Sequence, residues 1–197
     1  QRQMPASCGP MGLMAFGICT VLKSFMWYGV CTQETYSFIA ISGIMYGGFI
    51  QVAAGWWELV SGRTFIATAN FNFGAFWLGI SLFDLLRGTM DIKVDPTTMP
   101  WGYFIWSMVW FVHTLGLTLC TRYTIRPLQL MYVNSTSLFL VLGLANFWPI
   151  FWQIGGVMGF LLGLNAIYIA YAEIINTVYD RDIIPLWPCP KKVTILD

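Results

Sequence analysis

Charge is what this sequence has least of: Asp, Glu, Lys and Arg together make only 10% of its 197 residues, against about 25% in soluble domains. With a hydrophobic share of 57% and a mean hydropathy of +0.67, the chain reads as an integral membrane protein. Histidine is almost missing, with His113 the single one. The five cysteines (Cys8, Cys19, Cys31, Cys120, Cys189) are odd in number and never spaced C-x-x-C, which argues against a disulfide framework and a zinc site. No G-x-S-x-G elbow, Walker loop, H-E-x-x-H helix or paired-carboxylate arrangement occurs. Neither an enzyme nor a cofactor or metal is therefore expected. A net charge of +1 without a clustered basic stripe also sets nucleic acid aside as a partner.

What is present is long apolar runs. At roughly 20 residues per span, residues 1–197 suit one membrane domain and leave no room for a second. Segment 1–10 is loop-like and 180–197 is a polar tail carrying Pro185, Pro188 and Pro190. The first run exceeds the about 7 to 15 residues of a signal-peptide core, so it is expected to be a retained span. Spans are expected over Met11–Val30, Tyr36–Leu59, Thr64–Leu85, Trp101–Cys120, Leu128–Phe147 and Phe151–Ile175, an all-α bundle of six. Pro10 suits a helix's first turn, where its missing N–H costs nothing. Asp95-Pro96 and Met99-Pro100 break any helix in the polar loop between the third and fourth spans. Gly43 and Gly47, and the stripe Gly155, Gly156, Gly159 and Gly163, mark places where helix backbones can approach closely.

An even number of spans puts both termini on one side. Arg2, Arg63, Arg122, Arg126, Arg181, Lys191 and Lys192 fall there, against Lys23, Arg87 and Lys93 opposite, so the termini are expected on the cytosolic or matrix side. Trp56, Trp57, Trp101, Trp148 and Trp152 lie near span ends, as an interfacial belt would. Lys23 is expected to snorkel to the interface.

Polar groups inside the spans are few: Thr20, Gln51, Asn70, Asn72, Asn134, Ser135 and Asn165. Taken singly each reads as an interhelical hydrogen bond, worth about 0.6 kcal/mol. Together they raise the alternative of a shared polar path. His113 reads either as a hydrogen-bonded packing residue or as a proton relay. Glu173 lies inside the run AIYIAYAEIIN, where a charge costs about 2.5 to 3.5 kcal/mol on insertion scales. A salt bridge to Arg63, Arg122 or Arg126 or a place in a vestibule would account for it, and Glu58 faces the same choice.

One stretch is more specific. Tyr46-Gly47-Gly48, Gln51, Ala54-Gly55 with Glu58, Gly62-Arg63-Thr64-Phe65 and Phe73-Gly74-Ala75-Phe76-Trp77 resemble, in order and spacing, the second and third spans of the acetate uptake transporter family (succinate-acetate permeases and their fungal and protist relatives). The opening Pro10 to Gly17 resembles the family's entrance signature but keeps only its last proline. The resemblance covers nearly the whole chain and is weakest at the entrance, the loop after the third span and the tail.

The resemblance implies a hydrophobic constriction of Phe16, Phe73 and Ser135, where relatives carry Phe, Tyr and Leu. It places Ala166 and Tyr168 on the pore side of the last helix, and Glu173 where relatives carry an acid. With Thr20, Gln51, Asn72 and Asn134 as further pathway residues, it implies a channel-like transporter of small monocarboxylates, acetate and by extension succinate. The acid would cross protonated or coupled to protons, one path per protomer, in a homo-hexameric ring in the lipid bilayer. Plasma and organelle membranes are equally compatible. The other reading is a transport-inactive structural subunit of a larger membrane assembly, motivated by the altered constriction.

Overall fold

The computed structural model describes residues 6–31, 33–90 and 94–190; the expectations resting on Arg2, Lys93, Lys191 and Lys192 lie outside them. A backbone in lipid must satisfy its own N–H and C=O groups, and the chain does so as six helices long and apolar enough to span. The protein is a multi-pass membrane protein. The first span, Gly9–Tyr28, has Pro10 in its first turn and ends on Gly29 in the left-handed region (φ 86°). The second is continuous but changes pitch: α-helical Gln33–Ser42, π-helical Gly43–Ile50 and α-helical Gln51–Val60. The others are Thr64–Thr89, Met99–Cys120 with a 3-10 turn at Thr121–Tyr123, Arg126–Ala145 and Ile150–Val178.

The π-helical turn is rare in length and position, and its glycines explain how it packs. A Cβ on Gly47 would fall 2.7 Å from the Trp77 ring, and one on Gly48 2.7 Å from Leu78 Cγ. Without them the second span closes onto the third. The stripe on the last span works in the same way against the first: a Cβ on Gly163 would fall 2.6 Å from Gly17 O, and one on Gly156 2.8 Å from Tyr28 Cβ. The stripe is thus consumed inside the protomer.

Neighbouring spans pack side by side except the third and fourth, and the sixth returns to the first, forming a ring with one open seam. The fourth is the most peripheral, with 22% of its apolar window buried against about half in the others. Large rings reach across the seam between third and fourth, Phe76 to Trp106 at 5.2 Å and Phe83 to Tyr103 at 6.0 Å. Trp56, Trp57, Trp101 and Trp148 are exposed at span ends, whereas Trp152 turns inward.

The described part of the tail is docked. Arg126 N donates to Trp187 O (3.0 Å) and Cys189 N to Thr124 O (2.7 Å). Asn176 Oδ1 accepts from the Ile183 and Ile184 amides at 2.8 Å.

Candidate functional site

Two cavities open within the ring, one toward each end, with a wall of aromatic rings between them. The smaller, about 80 Å³, lies toward the termini, room for several waters or a small acid. The first span brings Gly9, Leu13 and Phe16 to it, the second Gln51, the third Phe65, Asn70 and Phe73, the fifth Met131 and Tyr132, and the sixth Glu173. Gln51 directly follows the π-helical turn, which aims it inward, and its Oε1 is buried with no partner among the described residues. An unpaired buried acceptor of this kind costs about 1 to 3 kcal/mol, so a donor in the cavity, such as a water or an acid hydroxyl, would stabilise it. Asn70 Nδ2 donates back to Ile66 O at 3.0 Å.

Glu173 has no ion pair among the described residues, which overturns the expected salt bridge. The three arginines are engaged elsewhere. Arg63 pairs with Glu58 across the hairpin, Arg126 donates to Gln129 Oε1 (3.1 Å) and Arg122 lies over the Tyr123 ring. Glu58, fully buried, also accepts from Ser7 Oγ (3.1 Å) and the Cys8 amide (2.5 Å), tying the start of the first span to the hairpin. Burial, and after it the Glu58 carboxylate, pushes the Cys8 thiol up, with Arg63 opposing.

The wall begins where Phe16 meets Phe73 edge on, centroids 5.1 Å apart. Phe73 stacks on Trp110 (6.1 Å, 26°), Phe76 meets Trp110 at 4.9 Å, and Trp110 stacks on Phe139 (5.9 Å, 22°). Tyr132 lies 6.4 Å from Phe73. His113 packs at 5.4 Å and 90° to Trp110, and its Nε2 is buried with no partner among the described residues, so the hydrogen bond that the packing reading assumed is not made at that nitrogen. Ser135 is 2% exposed and lines neither cavity; Phe139, one turn on, supplies the fifth span's bulk. Trp110, Tyr132 and Phe139 escaped the sequence reading, and Phe76 entered it only as part of the motif. Their spacings, three to seven residues along a span, were visible, but the chain's lipid-facing rings follow similar spacings.

Beyond the wall lies a cavity of about 720 Å³ at the opposite end. Phe76, Trp77, Trp106 and Leu142 line it, together with Lys23, Asp84, Arg87, Tyr103, Asn146 and Gln153. Lys23 does not snorkel: it is buried and ion-paired to Asp84, joining first and third spans.

The structure brings five sequence candidates together, namely Phe16, Gln51, Asn70, Phe73 and Glu173. The rest lie elsewhere. Thr20 Oγ1 donates to Phe16 O on its own helix (2.7 Å) and Asn134 Nδ2 to Met158 O (3.1 Å). Asn165 Nδ2 donates to Pro127 O (2.9 Å). Ala166 is fully buried, and Asn72 lines neither cavity. Tyr168 donates to Pro185 O (2.6 Å) and stacks on Trp187, held by the tail.

Comparison with known proteins gives the arrangement a lineage. A model of the GPR1/FUN34/yaaH family matches residues 1–190. The chain belongs to the GPR1/FUN34/yaaH family. This family member is 31% identical over 183 residues to the succinate-acetate/proton symporter SatP of Escherichia coli, covering 92% of this chain and 95% of SatP. It is 28% identical over 204 residues to acetate permease A of Emericella nidulans, covering 96% of this chain and 68% of the permease. Among solved structures, the bacterial acetate channel SatP matches with a TM-score of 0.84 and 29% identity, over 92% of this chain and 99% of that one.

Proposed function

We propose that this chain is a channel-like transporter of small monocarboxylates such as acetate, with succinate as a further substrate, and not an enzyme. The observation that carries the reading is the aromatic wall between two cavities whose far ends are polar: Phe16, Phe73, Phe76, Trp110 and Phe139. Rings offer an ion nothing to replace its water, and an unpaired charge in such surroundings is very costly. The acid therefore crosses protonated or together with a proton. Phe16 and Phe73 are the constriction in this reading, Gln51 meets the acid hydroxyl, and Glu173 belongs to the vestibule. Residues 1–197 act as one domain, in a homo-hexamer with the termini on the cytosolic or matrix side. The lipid-like outer faces, including Ile105, Val109 and Val112, provide apolar surface for neighbouring protomers.

The test is initial acetate flux into proteoliposomes between pH 7.5 and 5 at fixed total acetate and zero potential, with protein-free vesicles subtracted. A carboxylic acid titrates near pH 4 to 5, so going from pH 7 to 5 raises its neutral fraction by nearly 100-fold, and flux is expected to follow until it saturates. A flux flat across this range would mean that the anion is conducted. No flux above the protein-free vesicles at any pH would favour a structural subunit of a larger membrane assembly.

A further inference from the structure

The larger cavity holds a group of charges that the crossing of a neutral acid does not need. Lys23 and Asp84 are paired deep in apolar helices, with side-chain exposures of 9% and 16%. A buried ion pair contributes little net stability, because desolvating two ions offsets most of their attraction, and apolar residues of similar size often serve packing as well or better. Packing alone is thus a weak reason for the pair. Arg87 follows Asp84 by three residues, on the same helix face, and lies close to the Tyr103 hydroxyl. Among the described residues, Lys23, Asp84 and Arg87 are the charged ones lining this cavity, two cations against one carboxylate. Glu173 is the charged residue lining the smaller cavity. The described linings of the two cavities therefore differ in sign.

We infer that the larger cavity binds a short-chain carboxylate as the free anion, on Lys23, with Asp84 as a resident competitor and Arg87 as the cation that receives Asp84 when it is displaced. The choice of carboxylate rests on the transport reading above and deepens it: substrate is gathered as the abundant anion at one end and crosses the wall as the scarce neutral acid. An arriving carboxylate takes the place of Asp84 on the Lys23 ammonium, and Asp84 turns to Arg87 one turn along its helix. Charge-assisted hydrogen bonds of this kind are the strong ones, and an exchange of one carboxylate for another leaves no buried charge unpaired.

The two halves of the pair then have opposite effects on binding, which a merely structural ion pair cannot produce. Acetate binding to the purified full chain in detergent at pH 7.5 is read by calorimetry, alongside thermal unfolding. Asp84→Asn is expected to tighten acetate about tenfold and Lys23→Met to weaken it about tenfold or abolish it, each a change of one strong interaction to a charged group. Lys23→Met leaves Asp84 unpaired, so the double variant Lys23→Met/Asp84→Leu, which buries no charge, is measured beside it and is expected to fold and to bind no acetate. Acetate affinity that is unchanged or weakened in Asp84→Asn, or retained in the double variant, overturns the proposal. Because no flux is measured, a protein that binds in this pattern yet transports nothing contradicts the transport reading alone.

Discussion

Phe16 on the first span and Phe73 on the third meet edge to face, centroids 5.1 Å apart and planes at 63°. This contact closes the small cavity on the side facing the wall, and Phe139 thickens the wall from the fifth span, 5.5 Å from Phe76. Ring size on the third and fifth spans, rather than the residue at 135, is therefore expected to set what passes. Phe139→Ala should raise succinate flux severalfold relative to acetate flux, because pore diameter and lining groups set selectivity, at a stability cost of about 3 to 5 kcal/mol. Ser135→Leu adds bulk to a closed site and should cost about 1 to 3 kcal/mol with the succinate-to-acetate ratio unchanged. Flux ratios in proteoliposomes check both; a ratio that moves in Ser135→Leu and stays put in Phe139→Ala would return position 135 to the constriction.

Glu58 serves three donors at once: Arg63, Ser7 Oγ and the Cys8 amide. Glu58→Ala strands all three and is expected to cost about 3 to 5 kcal/mol, as breaking a buried pair does. Arg63→Ala should cost less, since Arg63 is a fifth exposed while Glu58 is not exposed at all. The two losses should not add, because the groups share one network. Thermal unfolding in detergent of the two single variants and the double variant measures the coupling; strict additivity would mean that the hairpin does not depend on the pair.

The glycines differ in what they face. A Cβ on Gly163 meets Gly17 O at 2.6 Å, whereas one on Gly79 meets nothing within 4 Å. Gly163→Ala must push the first and sixth spans apart and should lower the melting temperature. Gly79→Ala meets no such clash and, by the better helix propensity of Ala, about 0.8 to 1.0 kcal/mol, should hold it or raise it. Equal melting temperatures for the two variants would show that the first and sixth spans tolerate the added methyl.

Sequence alone determined the six membrane helices. In lipid the backbone has no other partner than itself, so runs of about 20 apolar residues punctuated by Pro10, Gly62, Pro96 and Pro149 leave little choice; most span ends shifted by a few residues, as with the third span reaching Thr89. The motif that carries Glu58 and Arg63 was legible as a family resemblance, though not the pairing of the two. Which rings form the wall was not legible. Lipid and protein interior are both apolar, so the periodicity that separates core from surface in water is nearly silent here, and Phe139 inside reads like Phe160 outside. Partner choice was equally hidden: Glu173 was within conceivable reach of three arginines, and only the packing of the hairpin gave Arg63 to Glu58. Lys23 had a free path to the interface by its own length and found Asp84 61 residues away. Polar groups in an apolar medium take whichever partner the fold brings within reach, and that is decided by tertiary structure.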